Sequence, residues 1–319
     1  MIIDFHSHLV PAHWADRLGL PPFFTDVEAF FATKERQGIT TTVISHAMIN
    51  RAGSSIDQRE LPWIQEFNEF AAGLVDSNPG RVLALTSANP MGGHPMLSEL
   101  EQAVASGRFR GVTVHSSVDG QYLDAPAAGE FWDCVEELGV PVFIHAPGFP
   151  GGHEDLDLRL TEFAARYHDV GLGVAALIMS GVLEWHPGVR IVAGSAGGGL
   201  AMLIGRLDVG YQFAPPRDRP VGGPPPPNQM LDRPSDYLRQ VYVDSCTFDR
   251  NALRFTVEML GADHIVFGTD YPPVRVPDAY GVDSVRNLRV ADVEREHILY
   301  RNAAELLGLQ SGGTGVDSR

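Results

Sequence analysis

Strand-like and helix-like patterns take turns along this chain. Short runs rich in Ile, Val, Leu and Phe alternate with stretches whose apolar positions fall three and four apart. The short runs predict strands at Ile2–Leu9, Thr41–Ala47, Arg81–Ala88, Gly111–Ser116, Pro141–His145, Arg190–Gly194, Gln240–Asp244 and Ile265–Thr269. The longer ones predict helices that include Ser98–Ala105, Ala127–Leu138, Leu172–Trp185, Leu200–Tyr211, Asn251–Leu260 and Asp292–Leu299. Such alternation implies parallel strands joined by right-handed crossovers. Eight units in a chain of 319 residues predict an α/β fold, a (β/α)8 barrel of TIM type forming one domain over 1–309. An open, doubly wound sheet is the alternative.

Two segments break the rhythm. Segment 213–235 contains Pro-Pro-Arg-Asp-Arg-Pro-Val-Gly-Gly-Pro-Pro-Pro-Pro, which fits neither a helix nor a central strand. It reads as an exposed loop, or as a lid or subunit contact. The tail 310–319, rich in Gly and Ser, is expected to be disordered.

Composition narrows the function. With 44% hydrophobic and 20% charged residues the chain reads as globular. A formal net charge of −16 argues against nucleic acid and against an anionic membrane surface. It does not exclude an anionic substrate, because a metal and one arginine can reverse the local field. Cys134 and Cys246 read as buried, reduced thiols. No apolar run is long enough to span a bilayer and no secretory leader is evident, so the cytoplasm is the expected location.

A barrel places its chemistry at the C-terminal ends of its strands. His8, His46, His115, His145 and Asp270 all fall there. His6 and His8 lie two apart on the first strand and so project from one face, a geometry suited to a divalent ion. A lone strand-end histidine such as His145 is more often structural; beside His6 and His8 it becomes a ligand. Asp270 could instead cap a helix, but the prolines at 272, 273 and 277 argue against one starting there. Three imidazoles and a carboxylate predict a mononuclear site, best suited to Zn2+, with Mn2+ or Fe2+ as alternatives. An ion there would acidify water or polarise a carbonyl or phenolic oxygen.

Several stretches carry a family resemblance. They are His6-Ser-His8, Ala176-Leu-Ile-Met-Ser-Gly-Val-Leu-Glu184, Gly197-Gly-Gly-Leu-Ala-Met-Leu-Ile-Gly-Arg-Leu-Asp208, Pro234-Ser-Asp-Tyr-Leu238, Tyr242-Val-Asp-Ser245 and Val266-Phe-Gly-Thr-Asp-Tyr-Pro272. Together they resemble the amidohydrolase superfamily, and within it the decarboxylase branch of aminocarboxymuconate-semialdehyde and resorcylate-type decarboxylases. The resemblance spans essentially the whole chain and is more specific in its C-terminal half. It implies a barrel, one divalent metal, usually zinc, and ligands at His6, His8, His145 and Asp270. It also implies that Arg206 binds a substrate carboxylate, in its own or a neighbouring subunit's site, and that the protein is a homodimer. The competing reading of Arg206 is a helix-surface ion pair with Asp208.

One position departs from the family pattern. Ser195 stands where the family has a histidine that assists metal-bound water, and a serine hydroxyl cannot serve as acid or base near neutral pH. Either another histidine substitutes, or the chemistry differs, or the protein is inactive, by nature or by deliberate replacement. His115 is the first substitute, since Thr113 and His115 share a face opposite Val112 and Val114; His46 is second and His153 third. Phe149 and His153 line the site or merely sit in a Gly/Pro turn. The expectation is therefore a metal-dependent lyase that decarboxylates a small cyclic or unsaturated acid. Asp270, His115 and Ser195 are its expected catalytic residues and Arg206 its substrate contact. A metal-dependent hydrolase or hydratase is the alternative enzyme, and a non-catalytic barrel the alternative outside enzymes.

Overall fold

A computed structural model of the protein describes residues 1–46, 60–147, 156–213, 232–275 and 277–309. The eight expected strands are all present. They are β1 (Ile3–His8), β2 (Thr41–Ser45), β3 (Val82–Ser87), β4 (Phe109–His115), β5 (Val142–His145), β6 (Ile191–Ala193), β7 (Val241–Asp244) and β8 (Ile265–Val266). They pair in parallel in chain order. The chain beyond β8 then closes the sheet on β1. The N–H of Phe5 donates to the carbonyl of Phe267, that of Asp270 to His6 and that of His8 to Tyr271, each at 2.8 Å. The result is a (β/α)8 barrel.

Inward-facing side chains fill the barrel. Ile3, Phe5, Val43, Leu85, Phe143, Val192 and Val266 form one buried cluster, which Ala303, Ala304 and Leu307 close off near the C-terminal end of the chain. β4 contributes Gly111 at this level, where a Cβ would stand 2.9 Å from Leu85 and 2.8 Å from the carbonyl of Pro141. The helices pack against the outer faces, and Val112 and Val114 belong to that outer layer. This leaves Thr113 and His115 facing inward, as expected.

β1 does not alternate strictly. Its register against β2 shifts between Asp4 and Ser7. Ile3 and Phe5 join the interior cluster, yet the ring of His6 also lies inside, 4.8 Å from Phe143. Asp4 and Ser7 turn the other way, toward Thr42 and toward Lys34 on the Val27–Arg36 helix. The bulge lets an apolar pair and an imidazole pair of opposite parity share one interior.

The helices differ from expectation in their details. The Leu172–Trp185 helix is in fact two, Arg166–Ser180 and Val182–Trp185, parted by Gly181 at φ 85°. The polar start Arg166-Tyr-His-Asp hides its first turn from a search for apolar spacing. The helix expected at Asp292–Leu299 is regular only to Glu296; it widens into a π turn at His297–Arg301 and resumes at Asn302–Leu306. Helices Ala12–Leu18, Val27–Arg36 and Leu61–Ser77 were not anticipated. Regular pairing of β8 stops at Val266, short of Thr269. Phe213 ends a helix and Pro234 begins a 3-10 helix; the rest of the proline-rich segment, from 214 to 231, lies outside the described residues, as do Phe149, His153 and 310–319. No helix among the described residues is long and apolar enough to cross a membrane. Cys134 and Cys246 are buried and unpaired.

Candidate active site

His6, His8, His145 and Asp270 converge at the C-terminal end of the barrel, all buried, with one donor atom of each within 4.8 Å of the others. The three imidazole rings stand nearly perpendicular to one another, their centroids 5.0 to 5.1 Å apart. Each ring is oriented by an acceptor on its far nitrogen. Nδ1 of His6 faces Asp244 Oδ2 at 2.6 Å, Nδ1 of His8 the carbonyl of Ser45 at 3.1 Å, and Nδ1 of His145 the carbonyl of Ala146 at 2.9 Å. Carbonyls only accept, so His8 and His145 must carry their proton on Nδ1, and Asp244 favours the same tautomer in His6. The Nε2 atoms are then left to face inward.

Those atoms face one another at hydrogen-bond distance or little more. Nε2 of His6 is 3.1 Å from Nε2 of His8, and Asp270 Oδ1 is 3.4 and 3.2 Å from the two. A divalent ion fits this donor set of three neutral imidazoles and a carboxylate. Burial alone would lower the His6 pKa, but Asp270 and Asp244 on either side hold it raised. Burial, then His8 and His6, hold His145 well below its usual value. Burial would raise Asp270, yet His6 and His8 with Arg166 hold it below the usual carboxylate range.

The candidate acid/base residues fall into two settings. His115 is half-buried, its ring 6.5 Å from that of His145 and its Nδ1 3.3 Å from the carbonyl of Ala146. Burial, with Arg166 nearby, pulls its pKa down to about 4. His46 packs between Trp14 and Phe67, at 5.4 and 4.8 Å between centroids, and burial pulls it down to about 3. Both are neutral at pH 7.

Ser195 lies in the left-handed region, at φ 52° and ψ 46°, and Ala196 follows at φ 54°. The pair is held there by their backbone N–H groups, which donate to Asp244 at 3.0 and 2.7 Å. Ser195 also lines a cavity of about 660 Å3 between the Arg166–Ser180 and Arg250–Leu260 helices. Arg206 is not brought into the ligand cluster. It is exposed on the Leu200–Phe213 helix and forms no ion pair among the described residues. Asp208 accepts instead from the N–H of Ser235, at 2.9 Å.

Three functional groups went unrecognised in the sequence. Asp244 ends β7 and organises both His6 and the Ser195 turn; its strand-end position was the available signal. Asp4 accepts from the N–H and the hydroxyl of Thr269, at 3.0 and 2.7 Å, and pairs with the buried Lys34, which also reaches Ser7 and Thr269. This cluster ties β1 to the residue before Asp270. Arg166, mostly buried, donates to the carbonyl of Pro147 at 2.6 Å and to Glu162 at 2.7 Å. Its charge lowers the pKa values of His115, His145 and Asp270 alike.

Comparison with known proteins agrees with this geometry. The 2-amino-3-carboxymuconate-6-semialdehyde decarboxylase of Dictyostelium discoideum is 25% identical over 339 residues, covering 96% of this chain and 91% of that protein. The crystal structure of 5-carboxyvanillate decarboxylase from Sphingomonas paucimobilis superimposes with a TM-score of 0.83 at 19% identity, covering 96% of this chain and 98% of the other. The dihydroxybenzoic acid decarboxylase of Polaromonas sp. JS666, solved with bound manganese and the inhibitor 2-nitroresorcinol, gives 0.80 at 22% identity, with 98% of each chain covered. The amidohydrolase profile itself matches residues 3–309. With an inward-facing His-x-His on β1, a third histidine ending β5 and an aspartate beyond β8, the chain belongs to the amidohydrolase family.

Proposed function

We propose that the protein is a metal-dependent, non-oxidative decarboxylase of a small carboxylated aromatic or unsaturated acid. The observation that carries this reading is the inward convergence of His6, His8, His145 and Asp270, in a chain whose relatives are decarboxylases. Zn2+ suits the donors best, and Mn2+ and Fe2+ accept the same set. Bound there, the ion supplies Lewis acidity toward a substrate oxygen.

This chain's own residues supply the rest. Arg166 offers positive charge for orienting a carboxylate. Arg206, exposed on its helix, would do so only at a neighbouring subunit's site in a homodimer. Decarboxylation breaks the bond to the carboxylate carbon and needs one proton delivered to the carbon left behind. His115, uncharged at neutral pH, is the group we assign to take up a proton and return it there. Asp270 holds the ligand set and faces the same space, and Ser195 offers one hydrogen bond to a substrate oxygen. The unpaired thiols of Cys134 and Cys246 suit a reducing compartment, the cytoplasm.

The test begins with protein purified without chelator. Stoichiometric divalent metal and release of CO2 from hydroxybenzoates, lost with chelator and restored by Zn2+ or Mn2+, support the reading. Failure to hold a metal removes it. Metal-dependent turnover of esters or amides without CO2 release replaces it with a hydrolase, a reading to which the missing imidazole at position 195 lends weight.

A further inference from the structure

The cavity beside Ser195 is not needed to hold a metal or a carboxylate, and its chemistry differs sharply from theirs. Phe163, Met202, Phe248, Phe255 and Val274 line it, and none of its lining side chains among the described residues is charged. Its polar groups are the hydroxyls of Ser195, Tyr167, Thr247 and Thr256 and the thiol of Cys246. Burial holds Tyr167 up to about 12, so its hydroxyl stays protonated. The cavity adjoins the metal centre. Cys246 Sγ stands 3.7 Å from His6 Nδ1, and the N–H of Val274 donates to the carbonyl of Asp270 at 3.0 Å. Ser195, Ala196, Gly199, Ala201 and Ala252 also line it, with small side chains or none. A volume of about 660 Å3 lies in the range of sites that enclose whole small ligands, beyond what a hydroxyl or methyl on a benzene ring needs.

We propose that this cavity is a subsite for an uncharged, apolar substituent of the substrate. The preferred substrate is then a monocarboxylated aromatic acid bearing an alkyl or aryl group, not a dicarboxylate or a polyhydroxylated ring. The inference rests on the decarboxylase reading for the carboxylate and on the cavity for the substituent. A second carboxylate placed here would shed its hydration without meeting a cation among the described residues. An alkyl group would lose nothing and exchange water for the rings of Phe248 and Phe255.

Phenols lacking a carboxylate test the subsite apart from catalysis. Phenol, the cresols and the propylphenols are titrated calorimetrically into the manganese-loaded full chain. Each added methylene should tighten binding by about two- to fourfold, so a propylphenol should exceed phenol by roughly tenfold or more. Hydroxyphenylpropionate, which ends a tail of similar length in a carboxylate, should bind more weakly than the propylphenol. Ala252→Phe, at an exposed helix position that faces the cavity, should abolish the gain along the series, and Phe255→Ala should reduce it. A flat series, including one caused by a second copy of the chain closing over Phe163 and Met202, overturns the proposal. So does tighter binding of the charged tail. The two readings fail separately. If no aromatic acid releases CO2 while the series rises, the subsite stands and decarboxylation falls. If CO2 is released while the series is flat, decarboxylation stands and the subsite falls.

Discussion

Asp244 and His6 are joined by a 2.6 Å hydrogen bond across 238 positions of sequence. The carboxylate orients the imidazole and makes its inward nitrogen a better donor. Partners of this kind are worth roughly 10- to 100-fold in metal affinity. Asp244→Asn should therefore weaken Zn2+ or Mn2+ binding by about that factor, read by competition with a chelating dye. Unchanged affinity would show that packing holds the ring without the carboxylate.

Lys34 is buried against Asp4 with no access to water. Removing one partner of such a pair strands the other's charge, at a cost of about 3–5 kcal/mol. Lys34→Met should lower unfolding stability by about that amount, and adding Asp4→Asn should restore part of it. Denaturant titration of the two variants checks both statements. Because Asp4 also holds Thr269, the single variant should bind metal more weakly as well.

Acid should destabilise the metal-free protein between about pH 6.5 and 4. His46, His115 and His145 have folded pKa values below that of an unfolded histidine, so unfolding takes up protons in this window. Their contribution is complete above pH 6.5 and lost on acidification, down to about 4 for His115 and about 3 for His46. His6 works in the opposite sense: raised in the fold, it stabilises at low pH and fades as pH rises through its folded value. Three depressed groups against one raised group predict a falling melting temperature. Calorimetric scans of wild type and His115→Gln check this; the variant should lose part of the slope above pH 4.

His115→Ala should retain stoichiometric metal while losing most CO2 release, on the order of 100-fold or more for a group that transfers the proton. Turnover at the wild-type rate would take His115 out of the reaction. Arg166→Gln should instead raise KM more than it lowers kcat, since the charge is already present in the ground state. Equal losses in kcat and kcat/KM would place its effect in the transition state.

The left-handed turn at Ser195 and Ala196 makes two substitutions informative. Ala196→Gly should gain up to about 1 kcal/mol, as glycine meets no Cβ penalty there. Histidine tolerates this region better than most residues, so Ser195→His should fold. It should raise decarboxylation of ring acids without large substituents. No gain would mean that the pocket has been reshaped for other substrates.

The strands were legible because each is a short apolar run bounded by polar residues, and the candidate ligands because barrel geometry assigns meaning to strand ends. What stayed hidden depends on contacts remote in sequence. Nothing around Asp244 announces that His6 lies against it, and Lys34 reads as one more charge between two strands. The β1 bulge was equally invisible, since a period of two explains Ile3 and Phe5 or His6 and His8, but not both inside one barrel. Arg206, singled out by resemblance alone, lies exposed on its helix, whereas Arg166, which no motif marked, sits close enough to influence three site residues.

Closure of β1 against the chain beyond β8 has a consequence for how the protein matures. Two of the candidate ligands come from the first strand, one from the fifth, and the last is Asp270. A nascent chain on the ribosome can form most of its barrel and still lack both Asp244 and Asp270. A site built this way would load its ion only once the barrel has closed, and metal content would then count completed barrels rather than folded segments.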